Sequence, residues 1–163
     1  MKTKELLDKY RIIISSILNC KPEEIKFFVS GRGDTPESRS IRDEISSLDY
    51  KKNFNWSLGN YTVFKGEELI ASFVLYELHH CCAFMVSCKA EVMPRFRNKK
   101  IGTTLNQLRQ DIGRVLGYSA ILCTDIEQNT HQRQLLKTNG WKDIHSLVNK
   151  RTNNRVYLTV INI

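Results

Sequence analysis

Ala90-Glu91-Val92-Met93-Pro94-Arg95-Phe96-Arg97-Asn98-Lys99-Lys100-Ile101-Gly102-Thr103-Thr104 joins an apolar, strand-like segment to a helix. A strand halted by a proline and a helix opening at a glycine leave several N–H groups without intrahelical partners, at the positive end of the helix dipole. Such a junction is suited to an oxyanion. Arg95, Arg97, Lys99 and Lys100 add positive charge at the same place, so the stretch reads as a cradle for a diphosphate.

Outward from this junction, the periodicity predicts the neighbouring elements. Ala83 to Val92 reads as a strand, and Ile101, Leu105, Leu108, Ile112 and Val115 mark one face of a helix that ends at Gly117. Ser119 to Asp125 reads as a buried strand and Asn129 to Asn139 as a short helix closed by Gly140. Ile144 to Val148 and Val156 to Ile161 flank a polar turn at Lys150 to Asn154. Upstream, Tyr61 to Phe64 and Leu69 to Leu78 form a hairpin around Lys65-Gly66-Glu67, so three antiparallel strands precede a strand–helix–strand unit. At the amino end, Leu6, Tyr10, Ile14 and Ile17 predict a helix from Lys4 to Asn19. Ile25 to Val29 predicts a strand, and Thr35-Pro36 opens a helix with Ile41, Ile45 and Leu48 inward. Residues 49–60 read as loop, with Tyr50, Phe54 and Trp56 in it.

With 163 residues, 41% hydrophobic and 26% charged, the chain is sized for one well-buried domain. No apolar run reaches membrane-spanning length and no secretory leader is legible, so the expected compartment is the cytoplasm. Five cysteines without a CxxC pair fit neither a disulfide framework nor a zinc finger, and reduced thiols are expected. The net charge of +8 resides wholly in the second half: residues 1–82 carry 12 basic and 12 acidic side chains, residues 83–163 carry 13 and 5. That asymmetry points to a polyanionic ligand, a phosphorylated cofactor or a nucleic acid.

The segment from Ala90 to Gly102 resembles the acyl-CoA signature of the GCN5-related N-acetyltransferase (GNAT) superfamily, Arg/Gln-x-x-Gly-x-Gly/Ala after a strand that ends near a proline. Arg97 and Gly102 match. Lys100 stands where the pattern has its first glycine, and a lysine serves there if its φ is negative and its ammonium replaces the lost backbone approach. Asn129 to Trp141 looks like the family's Asn-x-x-Ala-x-x-Leu-Tyr-x-x-x-Gly-Phe segment, agreeing at Asn129, Gly140 and the closing aromatic.

The resemblance covers residues 60–163 best. It implies an α/β (α+β) fold: a mixed, mostly antiparallel central sheet with a splayed strand pair and flanking helices, in a single domain over 1–163 to which 1–24 adds a helical extension. It also implies an N-acetyltransferase that passes acetyl from acetyl-CoA to a primary amine by direct attack in a ternary complex, without a metal. The cofactor groups would be Ala90 and Val92 on one splayed strand, Arg97, Asn98, Lys99, Lys100, Gly102 and Thr103 in the cradle, and Asn129 downstream.

The tyrosine that often protonates the leaving thiolate in this family falls on Leu136 and is absent. His131 is the substitute acid or else a solvated or capping histidine. Cys123 stands where some members carry a catalytic carboxylate, or is a buried structural thiol. Asp125 and Glu127, at the strand's carboxyl end, are bases for the amine or solvent-facing loop acids, and Glu91 faces solvent or pairs with a base. His79-His80-Cys81-Cys82 cannot share one ion, because neighbouring strand residues alternate faces, and Arg32-Gly33-Asp34 reads as a turn. Two other functions compete: a nucleic-acid-directed protein using the basic half with Trp56, Tyr50 or Phe54 as a stacking surface, and a silent coenzyme A binder. The acceptor amine is open, and the first helix packs on the sheet or on a second copy.

Overall fold

The computed structural model describes residues 3–30, 58–78, 81 and 83–163. The helix expected after Pro36, the aromatic residues 50, 54 and 56, and three of the four residues at 79–82 lie outside the described residues. Among those described, α1 (Thr3–Ile17), β1 (Ile25–Ser30), β2 (Gly59–Lys65), β3 (Glu68–Glu77), β4 (Phe84–Val92), α2 (Ile101–Leu116), β5 (Ala120–Ile126), α3 (Thr130–Thr138), β6 (Lys142–Val148) and β7 (Arg155–Asn162) follow in order. One seven-stranded sheet runs β1-β2-β3-β4-β5-β7-β6.

Four antiparallel strands, one more than the expected meander, form the first part, because β1 pairs along β2 from Ile25 opposite Lys65 to Ser30 opposite Asn60. Alternation drives β2: Tyr61 and Val63 are buried while Asn60 and Thr62 are not. β3 is covered on both faces, with Ile70, Ala71, Phe73, Val74 and Leu75 all buried. Tyr61 stacks on Phe73 with ring centres 4.8 Å apart.

α2 lays Ile101, Leu105, Leu108 and Ile112 into the core and stops at Gly117, whose φ of +83° is the left-handed conformation a helix end needs. The first helix, expected to pack on the sheet or on a second copy, packs into this core. Leu6, Tyr10 and Ile14 are no more than 2% exposed, α1 packs on α2 and β1, and the Tyr10 hydroxyl donates to Asp111 of α2 at 2.8 Å. No helix among the described residues is long and apolar enough to cross a membrane.

The break in the sheet positions the site. β4 and β5 are its one parallel pair, and they pair only from Phe84 opposite Ala120 to Val86 opposite Leu122. Beyond that point β4 stays with β3 as far as Val92, and β5 stays with β7 as far as Ile126. A bulge accompanies the parting: Val74 faces Cys88 and Ser72 faces Glu91, so Lys89 and Ala90 together oppose Phe73, and Lys89 takes a φ of +51°. The inserted residue bends β4 and increases its twist, turning it away from β5.

Candidate active site

A cleft of about 390 Å3 occupies the gap between the diverging strands. Ser87 to Ala90 of β4 form one wall and Cys123 to Ile126 of β5 the other, while Asn129 and Gln132 close one end and Arg109 reaches in from α2. The unpaired edges of two strands are thus turned toward one space, where a ligand with amide groups would satisfy them.

At the far end of β4 the chain turns through Pro94–Phe96 into α2. Lys100, the residue before the helix, has φ +62° and ψ 4°, and no side chain caps the helix. The condition of a negative φ is not met: Lys100 takes up the left-handed conformation that the glycine of the signature would supply, at a cost of about 1–2 kcal/mol for a residue with a Cβ. Asn98 is left-handed too, at +59°. Asn98, Lys99, Lys100 and Thr103 are exposed while Ile101 is buried, and a helix start without a side-chain cap is suited to an anion.

A Cβ at Gly102 would lie 2.9 Å from Leu135 Cδ1 of α3, so that methyl would have to shift to admit one. The four basic side chains separate. Arg97 folds back, its Nε donating to the Val92 carbonyl at 2.9 Å and its guanidinium 3.8 Å from Glu91, so it clamps the end of β4 and occupies one of the carbonyls expected to meet the cofactor. Arg95 turns the other way, 2.5 Å from Glu68, beside a separate hollow that Lys99 and Phe96 also line. Lys100 stays at the helix start.

Of the four candidate catalytic residues, two line the cleft. Cys123 is buried, and burial pushes its thiol up to about 12, so it is a neutral thiol at physiological pH. Asp125 is buried at the mouth of β5 and accepts from Arg133 at 2.7 Å, with Arg133 also donating to Asp143 at 2.8 Å. Burial holds the Asp125 carboxyl above its ordinary range in spite of Arg133, and Asp143 adds to the rise. A carboxylate reluctant to stay charged suits proton acceptance.

Glu127 and His131 are exposed and lie outside the cleft lining. Glu127 accepts from the Tyr157 hydroxyl at 3.2 Å. Asn129 borders the cleft and caps α3, its side chain accepting from the Gln132 amide. Leu136, where the family tyrosine would stand, is 1% exposed and packed in the core. No group of three or more metal-ligating side chains assembles among the described residues.

Three contributors escaped the sequence reading. Arg133 links Asp125 to Asp143 and lies over the Tyr157 ring at 3.5 Å. Asn106 accepts from both Arg109 and Trp141 Nε1, each at 3.0 Å. Arg109 is the most unusual, a guanidinium only 3% exposed. Its signal was present: it falls four residues after Leu105 and three before Ile112, on the apolar stripe of α2.

No known family profile and no curated protein sequence matches the chain. Solved structures do. An IAA acetyltransferase from Bacillus cereus superposes with a TM-score of 0.59 at 13% identity, covering 85% of this chain and 99% of its own. A spermidine/spermine N-acetyltransferase from Vibrio cholerae gives 0.59 at 17% identity, covering 86% and 93%. A GNAT family acetyltransferase from Elizabethkingia anophelis, solved with acetyl-CoA bound, gives 0.58 at 14% identity, covering 86% and 99%. Identities this low speak for the backbone. On that ground, and on the parting of β4 from β5, the chain has the fold of the GCN5-related N-acetyltransferases.

Proposed function

We propose that the chain is an acyl-CoA-dependent N-acyltransferase that moves an acetyl group from acetyl-CoA to a primary amine, by direct attack in a ternary complex. One observation carries the reading: a cleft between diverging parallel strands lies along β4, and β4 leads into an uncapped helix start bearing Lys100. A pantetheine arm, with a diphosphate at one end and amides along its length, matches that layout. Acetyl-CoA bound to the Elizabethkingia protein, which shares the fold, supports the choice of carrier.

In this reading the amides of Ile101, Gly102 and Thr103 hold the diphosphate, aided by Lys100. Ala90, on the bulged stretch of β4, faces the arm. Asp125 takes the proton of the attacking ammonium, since among the four candidates it is the carboxyl group that lines the cleft, and burial raises its affinity for a proton. The amine lone pair then forms the C–N bond, and the collapsing intermediate releases the thiolate.

A second reading, a silent coenzyme A binder, rests on buried Leu136 in place of the family acid. Calorimetric titration with acetyl-CoA, followed by an amine panel, separates the two. Saturable binding that Gly102→Trp abolishes, together with turnover of at least one amine, supports the enzyme. Binding without turnover of any amine supports the silent binder, and absence of binding by the wild type removes both.

A further inference from the structure

Arg109 enters the cleft at its narrow end. The strands last pair at Val86 and Leu122, and Arg109 meets the next residue of each: its Nη1 donates to Ser87 Oγ at 2.9 Å, and Cys123 lies close enough to feel its charge. Nη2 donates to Asn106 at 3.0 Å and the guanidinium lies 5.9 Å from the Trp141 ring centre. Nε has no partner. No carboxylate among the described residues pairs with this buried cation, and its neighbour Cys123 is held neutral by burial. A buried guanidinium that borders a ligand-sized cleft, with neutral partners among the described residues and one N–H left idle, is suited to an anion.

The direction of the cleft identifies that anion. With the diphosphate at the start of α2, just past Val92, a bound arm runs back along β4 toward Ser87, a span of about 16 Å of strand. Its far end, the sulfur, arrives at Arg109. We propose that Arg109 is a catalytic residue of the transfer reaction, whose guanidinium receives the departing coenzyme A thiolate at the apex of the cleft; this rests on the function proposed above.

When the tetrahedral intermediate collapses, the C–S bond breaks and its electron pair leaves on sulfur. The amine proton goes to Asp125 or to water, and no proton need reach the sulfur at that moment. Arg109 stabilises the thiolate as a neighbouring cation, which fits a chain without a tyrosine acid. The guanidinium, lowered by burial to about 10, still carries its proton at physiological pH.

Titration of the bound coenzyme A thiol by its ultraviolet absorbance tests this. In the wild type the bound thiol should ionise at least about one pH unit below the ordinary thiol value of about 8.5, equivalent to tenfold tighter binding of thiolate than of thiol. Arg109→Lys should keep part of that shift. Arg109→Met should abolish it, lower kcat at least about tenfold and leave acetyl-CoA affinity within a few-fold, since the thioester sulfur is uncharged.

A second measurement needs only the wild type. Affinity for coenzyme A should rise with pH through the shifted thiol value, whereas affinity for desulfo-coenzyme A should stay flat. An unshifted bound thiol overturns the proposal, as does an Arg109→Met variant that raises KM only for amines bearing a carboxylate. If the wild type binds no acetyl-CoA, the proposed function falls first and Arg109 with it; normal binding with an unshifted thiol removes Arg109 alone.

Discussion

Lys100 and Asp125 are where single side chains carry the most information. Lys100 is held left-handed at φ +62°, so Lys100→Gly should stabilise the protein by about 1 kcal/mol, read as a higher urea midpoint at unchanged slope. The same substitution removes a cation beside the proposed diphosphate, so acetyl-CoA affinity should fall a few-fold and become less sensitive to salt. Opposite movement of stability and affinity is the mark of a residue kept for its charge. Asp125 gives a pH signature. Its folded-state carboxyl is raised from the ordinary 3.8, chiefly by burial, so the fold favours the protonated form. Its contribution to stability is therefore full below the ordinary value and is lost as pH rises through the raised one. Turnover should show the reverse, rising over that window as the base ionises. Asp125→Asn should flatten the stability slope and remove the acid limb of the kcat/KM profile, with Arg133 still tied to Asp143.

At the scale of elements, α2 was legible from end to end and its environment was not. Apolar spacing gave its buried face and Gly117 its stop, and both are local properties. The parting of β4 from β5 is non-local: Val86 and Cys88 look alike as strand residues, and only the bulge at Lys89 and Ala90, set by the register on β3, decides where pairing ends. Glu127 and His131 are exposed and outside the cleft lining, a placement that position along the chain does not reveal. One end of a strand and one face of a short helix point away from the cleft as readily as toward it. Gly102 shows how an element contact refines a motif. The signature matches it as the glycine that opens the helix, and its backbone also sits against Leu135 of α3. Gly102→Ala should be near neutral, within about 1 kcal/mol, because the helix gain offsets displacement of one flexible methyl. A loss of several times that in thermal unfolding would mean that Leu135 cannot yield.

Across the whole molecule, the charge asymmetry was readable from composition, while the place of the first helix was not. An amphipathic segment announces that one face will be covered but not by what. Here α1 is covered by α2 and β1, with Ile14 fully buried and Tyr10 bonded to Asp111 in the later half of α2. That contact lies well away from Lys100 and the opening turn, which separates the demands of stability from those of the site. Ile14→Ala removes three buried carbons and should destabilise by about 2–5 kcal/mol, according to how far α1 can settle into the space. In the fraction that remains folded, acetyl-CoA affinity should stay within about twofold of the wild type, because sites this far apart and without shared partners act independently. The two quantities are measured separately, by urea denaturation without ligand and by calorimetry well below the unfolding transition. A large stability loss with unchanged affinity makes α1 a brace for the back of α2. A parallel loss of affinity would mean that packing at Ile14 sets the position of the helix start, coupling the amino-terminal helix to the cradle through the length of α2.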